Sequence, residues 1–462
     1  MKILLTTPPL LPFHTLQGLF PNGSPLNLQI LAGILKSAGH EVQIADVTRL
    51  PPMHWVFLET IESFKPDIVG FSNSEICNAP VIIDTASKLR RLYPAVKLLA
   101  GGQSPTFCPE LFIGPGKPFH AVALYEAEGT IVRIVEALAS GGSFDNVAGA
   151  AWPGKDGQIK RSEIERIIPD LNLLPLPLWD GTLRKAAFSR GLAATLETSR
   201  GCPWECTFCS ISDFYGKPPR YKSPERILTE LKTLKSKGVT EAYFVDDSFG
   251  TKPEIVKELF EGMIKEKLSM RFLAQIRADI VCNNPGLIEL AARAGMFMAV
   301  VGFEGYTLGI QNETQKGNSE QINHTASRIL RRNGIAVYGT HVFGCPGSSW
   351  KDNFLTFIKG RRNSDLFRMT IFTPLPGSSL YRQLLSEGGI ISNNPSDFYE
   401  GKFLIKNSHN PFLVQLCYFA LLAVHYCLPG TILKMMHPDR IIRVFHRRAY
   451  KGAIRFVLGK IK

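Results

Sequence analysis

Three cysteines stand close together at positions 202, 206 and 209, in the stretch TSRGCPWECTFCS from Thr198 to Ser210. Thiolates are soft ligands for zinc and for iron–sulfur clusters, and a C-x3-C-x2-C spacing puts three of them on one segment. Three is one fewer than a closed zinc site or a fully ligated cluster requires. Two explanations compete. A fourth ligand from elsewhere in the chain completes a structural zinc site, or one metal atom of a four-iron cluster is left open for a substrate or cofactor. The third reading, unligated thiols, is disfavoured by the spacing. Cys282, Cys345, Cys417 and Cys427 lack cluster spacing and read as buried apolar thiols, so no second cluster is expected.

The chain around this segment has an ordinary globular composition. Its 462 residues are 45% hydrophobic and 20% charged, enough for two or three domains with real cores. Nine irregularly spaced cysteines do not form a disulfide framework, so a reducing, cytoplasmic compartment is expected. The opening MKILLTTPPLLPF has few apolar residues before Pro8 and Pro9 and no small-residue cleavage site, so it does not read as a signal peptide. Net charge is +13, and from Lys434 to Lys462 nine Lys and Arg face one acid, Asp439. A nucleic-acid binder would spread basic residues and aromatics over a recognition fold, so no nucleic acid is expected. A basic tail fits a membrane surface or an acidic partner.

The elements that must position these residues follow from periodicity. KILLTT (2–7) reads as a buried strand, and PLNLQILAGILKSAG as a helix stopped by Gly39. EVQIADV, PDIVGFS, VKLLAGG and HAVALY are further strands, with helical patterns between most of them. This alternation over residues 1–145 implies a doubly wound parallel sheet. Ligands bind such sheets beyond the carboxyl ends of the strands. Those ends are Thr6–Pro9, Ser72–Glu75, Gly101–Thr106 and Tyr125–Glu128. Residues 146–188 read as a connector, with a hairpin turning at Asp156-Gly157 and a proline-rich LNLLPLPLWD. A second alternating series over 189–385 gives six strands: AATLETS, EAYFVDD, RFLAQIRAD, MFMAVVGFE, AVYGTHVFG and LFRMTIFTP. Six strand–helix units fall short of the roughly 250 residues of a full eight-fold barrel, so a partial (β/α)6 TIM-type barrel is expected. The fold class is therefore α/β: a parallel sheet, a partial barrel and a helical C-terminal region over 386–462.

Here the sequence resembles a known family. A C-x3-C-x2-C pattern with Phe208 before the last cysteine, at the end of a first barrel strand, is the signature of radical S-adenosylmethionine enzymes. YFVDDSF (243–249), RAD (277–279), GFEGYTLGIQNETQKGNS (302–319), HVFGCPGSS (341–349) and FTPLPGSSLY (372–381) resemble that family's second to sixth strands. With the parallel domain before it, the chain resembles the cobalamin-binding subgroup. The resemblance implies that Cys202, Cys206 and Cys209 bind three irons of one 4Fe-4S cluster whose open iron chelates S-adenosylmethionine. One-electron cleavage of that sulfonium gives a 5′-deoxyadenosyl radical, and the protein positions reactants and excludes water and oxygen. Phe208 is then expected near the adenine, Asp246 and Asp247 at the amino group, Arg277 at the carboxylate and Glu304 at the ribose. The plain alternatives are a helix N-cap for the aspartates and a barrel salt bridge for Arg277.

For the first domain the resemblance implies cobalamin held at the strand ends by Thr7, Ser72, Ser74, Gly101, Gly102, Gln103 and Glu126. The D-x-H-x-x-G motif that supplies a cobalt-ligating histidine is absent, which implies cobalamin bound without a lower histidine ligand. Gly101-Gly102 suits a loop where backbone approaches the corrin closely. The chain departs from the subgroup in reading GGQSPT where G-G-x-H-P-T is usual, and LYEAEG where G-E-G-E is usual.

In the tail, Arg440, Arg443, Arg447, Lys451 and Arg455 recur at three- and four-residue steps opposite Ile441, Ile442, Phe445, Ala449, Ala453, Phe456 and Val457. This predicts a basic amphipathic helix. It lies on a membrane or caps the barrel. Phe412–Leu428 is an apolar run, short for a spanning helix and broken by Pro429. The expected activity is methyl transfer to an unactivated carbon of a small-molecule or lipid-like substrate, through the adenosyl radical and methylcobalamin. A flavodoxin- or ferredoxin-type donor supplies the electron. The alternatives are a cyclase, oxygenating or rearranging enzyme of the same subgroup, such as those acting on tetrapyrroles, and a non-catalytic zinc-binding module.

Overall fold

The computed structural model describes residues 1–7, 23–48, 50, 52–141, 143–163, 168–399, 401–406 and 409–460, with side chains described as far as Lys451. The expectations placed on Pro8 and Pro9, and on the side chains of Ala453, Arg455, Phe456 and Val457, lie outside the described residues.

Two seven-stranded sheets carry the molecule. The first contains β1 (Lys2–Thr6), β2 (Glu41–Ala45), β3 (Ile68–Ser72), β4 (Lys97–Gly101), β5 (Ala121–Ala123), β6 (Ala150–Pro153) and β7 (Ile159–Arg161), in the order β2-β1-β3-β4-β5-β6-β7. β1 to β5 are parallel, and helices such as Leu26–Ser37 and Ala79–Leu92 connect them. Their near-continuous burial (iBBBB along β1, for example) reflects a sheet covered on both faces. The strand order reverses between β1 and β3, where such sheets open a crevice. The Asp156-Gly157 hairpin pairs antiparallel onto β5 through Val122↔Ala151. The first half of the expected connector therefore belongs to the first sheet. The reason is physical: β5 is three fully buried residues, and the hairpin covers an edge that would otherwise be bare.

The second sheet holds β8 (Arg184–Lys185), β9 (Leu192–Leu196), β12 (Val239–Phe244), β13 (Arg271–Gln275), β14 (Met296–Glu304), β15 (Ala336–Phe343) and β16 (Leu366–Ile371). Between β9 and β12 a small ribbon pairs β10 (Ser199–Arg200) with β11 (Arg220–Tyr221). The six parallel strands run in sequence order from β9 to β16, with β8 antiparallel outside β9. β8 and β16 are the two unjoined edges, so the barrel is partial, as six units require. The intervening helices start where their sequence says. Ser223 accepts from Arg226 N with Pro224 in the first turn, and Ser349 and Asp352 form a reciprocal capping box.

The tail does form a helix, Arg440–Lys460. Ile441, Phe445 and Ala449 are buried in one cluster with Phe188, Phe297, Tyr338 and Leu366. Its apolar arc is thus spent closing the floor of the barrel, the second of the two roles open to it. The apolar run forms the helix Pro411–Cys427, pinned by Tyr418 OH donating to Met369 O at 3.0 Å and by Arg361 Nε donating to His425 Nδ1 at 2.9 Å. Among the described residues no single helix is long and apolar enough to cross a membrane.

Candidate functional site

Cys202, Cys206 and Cys209 follow β10 on one partly buried loop. Gly201 enters it at φ +84°, and its N–H donates to Asp247. Thr207 fastens the loop to two distant segments. Its hydroxyl donates to Glu313 O, and its carbonyl accepts from Leu380 N and Ser379 Oγ. Phe208 packs edge-on to Phe372 at 5.7 Å. Burial pushes the Cys202 thiol up and the Cys209 thiol to about 12, so a metal must displace protons to bind here. Among the described residues no three His, Cys, Asp or Glu side chains are arranged around a single metal ion. Three thiols on one loop are the donor set that an iron–sulfur cluster takes, one to each of three metal atoms.

The other expected S-adenosylmethionine residues divide. Asp246 is buried and accepts from Thr198 N, Thr198 Oγ1 and Ser199 Oγ, lashing the end of β12 to the segment after β9. Burial raises its pKa. Asp247 faces the site, and burial pushes it up to about 7. Arg277 chelates Asp279, donates to Lys316 O at 2.6 Å and lies 4.0 Å over the Trp204 ring. Glu304, at φ +57°, pairs with Lys316 at 2.6 Å. Each of the last two is held in place by its pairing.

A cavity of about 490 Å³ opens between the two sheets. Thr7, Ser72, Ser74, Gly101, Gly102, Gln103 and Glu126 all line it. Glu197, Ser199, Arg200, Tyr215 and Asp247 close it from the barrel side, next to the cysteine loop. No histidine lines it among the described residues. Gly102 has a local reason to be glycine: φ is +101°, and a Cβ would lie 2.6 Å from Asn73 O. The wall also carries buried polar atoms that find no partner within the protein, Asn78 Oδ1 and Thr195 Oγ1. Such atoms suit a ligand rich in amide and hydroxyl groups, as the periphery of cobalamin is.

The wall of the cavity carries part of a charge network that sequence reasoning missed. Arg200 pairs with Glu126 at 3.1 Å, Glu128 at 2.6 Å and Glu197 at 2.9 Å. Arg220 pairs with Glu126 at 2.7 Å, and Lys222 reaches Glu197 and Glu230, which also takes Arg226. Four cations meet four carboxylates across the domain boundary. Burial raises the Glu126 pKa in spite of its two arginines. Burial works the same way on Glu197, but Arg200 and Lys222 outweigh it and hold that carboxyl low. Glu126, expected to touch cobalamin, is thus committed to arginines while still forming part of the wall. The only sequence signal was the charge in TSRGC and YEAEG, which does not say who pairs with whom.

Comparison with known proteins fits this arrangement. Residues 20–135 match the family model of the B12 binding domain, and residues 196–357 match that of the Radical SAM superfamily. The chain is 28% identical over 318 residues to a hopanoid C-3 methylase of Methylococcus capsulatus, covering 68% of this chain and 59% of that protein. It is 25% identical over 347 residues to an anaerobic magnesium-protoporphyrin IX monomethyl ester cyclase of Synechocystis, covering 74% and 68%. Among solved structures, the cobalamin-dependent S-adenosylmethionine radical enzyme OxsB superposes with a TM-score of 0.74 at 18% identity, over 99% of this chain and 72% of that one. The radical S-adenosylmethionine methyltransferase TsrM of Kitasatospora setae superposes with a TM-score of 0.72 at 14% identity, over 98% and 99%. At these identities the structural likeness is one of fold.

Proposed function

We propose, for a chain that belongs to the radical S-adenosylmethionine superfamily and carries its B12-binding domain, that it transfers a methyl group to an unactivated carbon of a small, apolar organic substrate. One observation carries the reading: a single cavity is lined at once by the strand ends of the first sheet and by Ser199, Arg200 and Asp247 beside the three-cysteine loop. A methyl donor and a radical generator must share one reaction space, and this cavity is shared by the two domains. The groups in question supply, when bound, one-electron cleavage of a sulfonium and delivery of a methyl group.

The chain's own residues do the rest. Cys202, Cys206 and Cys209 hold the cluster, and the Thr207 contacts keep their loop in place. Asp247 and the fixed Arg277 and Glu304 offer hydrogen-bond partners to S-adenosylmethionine, with Phe208 as an apolar wall. Asp246 braces the loop from behind. Asn78, Thr195 and the glycine loop at Gly101-Gly102 receive cobalamin. The buried network and the domain junction keep water out. A flavodoxin- or ferredoxin-type protein supplies the electron.

The cyclase relative keeps a second reading in play, in which the same site rearranges or oxygenates its substrate. Incubation without air, with reductant, methyl-labelled S-adenosylmethionine and cobalamin, separates the two. A product heavier by one methylene carrying label supports methyl transfer, and an unlabelled product supports the cyclase. Cys206→Ala should abolish 5′-deoxyadenosine formation; undiminished formation removes the basis of both. Metal analysis that finds zinc without iron and sulfide would instead leave a zinc-binding module.

A further inference from the structure

No charged residue lies between Lys406 and Lys434. The helix Pro411–Cys427 in this stretch turns Val414, Tyr418 and His425 to the barrel. Its outward side carries Phe412, Leu413, Leu416, Ala420 and Val424, spaced at helical steps, where a water-facing helix ordinarily shows charge. Phe412 is 71% exposed. The stripe continues past a 57° bend into Pro429–Met436, where Met436 is 68% exposed beside an exposed Leu433. At the other end Trp350 is partly exposed and makes an edge contact with His409, and Phe354 on the same helix is exposed too.

Cations stand next to the far end of the stripe. Arg447 Nε donates to Met435 O at 2.9 Å and Arg443 Nη1 to His437 O at 2.6 Å. Arg440 and Lys451 are exposed on the same helix, whose apolar arc is already used on the barrel floor, while Arg448 turns to that floor, donating to Ala187 O at 3.3 Å beside the Phe188 ring. The acids nearby are occupied: Asp439 accepts from Ile441 N, and Asp365 pairs with Arg331. Lys434 does not join the set, because it is largely buried and donates to Asp365 O.

We propose that the outward face of Pro411–Met436, rimmed by Arg440, Arg443, Arg447 and Lys451, seats this protein on the surface of an anionic lipid bilayer. An interfacial helix needs an apolar face to enter the acyl boundary and cations to meet the headgroups, and both are here. The helix is pinned to the barrel through Tyr418 and His425, so it lies on the bilayer rather than crossing it. A second copy of the chain is the poorer occupant, because docking two such faces would bring two sets of cations together. Seating on a bilayer is independent of methyl transfer and of any bound cofactor.

The test is co-sedimentation of the full chain with vesicles of phosphatidylcholine alone and of phosphatidylcholine mixed with phosphatidylglycerol. Binding should favour the mixed vesicles by about tenfold or more and fall with salt. Leu416→Glu combined with Leu433→Glu should lower binding to the mixed vesicles by about tenfold or more, with the unfolding midpoint unchanged. Arg440→Gln with Lys451→Gln should weaken binding to the anionic vesicles and leave neutral vesicles alone. Absence of binding to mixed vesicles overturns the proposal, and so does binding that the double Leu→Glu variant retains. A concentration-dependent dimer dissolved by Leu416→Glu, without vesicle binding, would assign the face to a second copy instead.

Discussion

Arg200→Met is the sharpest test of how the two domains are joined. Arg200 is 5% exposed and serves three carboxylates, Glu126, Glu128 and Glu197, whose side chains are 1%, 8% and 9% exposed. When the guanidinium is removed, the three carboxylates fare differently. Glu126 keeps Arg220 at 2.7 Å, and Glu197 keeps Lys222 at 3.6 Å. Glu128 has Arg200 as its ion-pair partner, so among the described residues it is the charge left buried without a counter-ion. Removing one partner of a buried pair costs about 3–5 kcal/mol, while removing both is far cheaper. Arg200→Met should therefore lose about 3–5 kcal/mol in urea unfolding. Adding Glu128→Gln should return about 1–2 kcal/mol of that, because a neutral amide no longer resists burial as a charge does. An unchanged urea midpoint for Arg200→Met refutes the reasoning, as does a double variant whose loss is the plain sum of the two single losses.

Three further outcomes are expected. Gly102→Ala places a Cβ 2.6 Å from Asn73 O at φ +101°, so it should lose about 1–3 kcal/mol of stability together with cobalamin retention, by urea titration and absorbance. Asn78→Leu removes a buried acceptor that the protein itself leaves unpaired, so stability should hold or rise while cobalamin binding weakens several-fold, by equilibrium titration. Burial holds His425 down to about 3 and His446 to about 4, below the ordinary 6.5. Their contribution is intact above the ordinary value and is lost as pH falls through the folded pKa values. Stability should decline on acidification by about 1.4 kcal/mol per pH unit for each histidine. His425→Gln, which still offers Arg361 an acceptor, should flatten that slope, by urea midpoints across pH.

Much of this molecule is legible along the chain because it is local. The parallel strands of both sheets and the helices between them follow from apolar periodicity and from caps such as Ser223 and Ser349. The seven strand-end residues could be named because parallel sheets expose their carboxyl ends in a known place, and all seven line one cavity. The cysteine triplet was visible because its residues are three and four positions apart.

The charge network was not legible, for a physical reason. Arg200 and Glu126 are 74 positions apart, and many acids in this chain could serve an arginine equally well; only packing the barrel against the sheet chooses Glu126, Glu128 and Glu197. The same holds for the tail. Periodicity gave Arg440–Lys460 an apolar arc but could not say what it would cover, and the tertiary structure spends it on the barrel floor. The outward apolar stripe belongs to Pro411–Met436 instead. A helix carries its own pattern in its sequence, whereas the surface that pattern meets is made by residues far away, so its partner is decided only when the whole chain has folded.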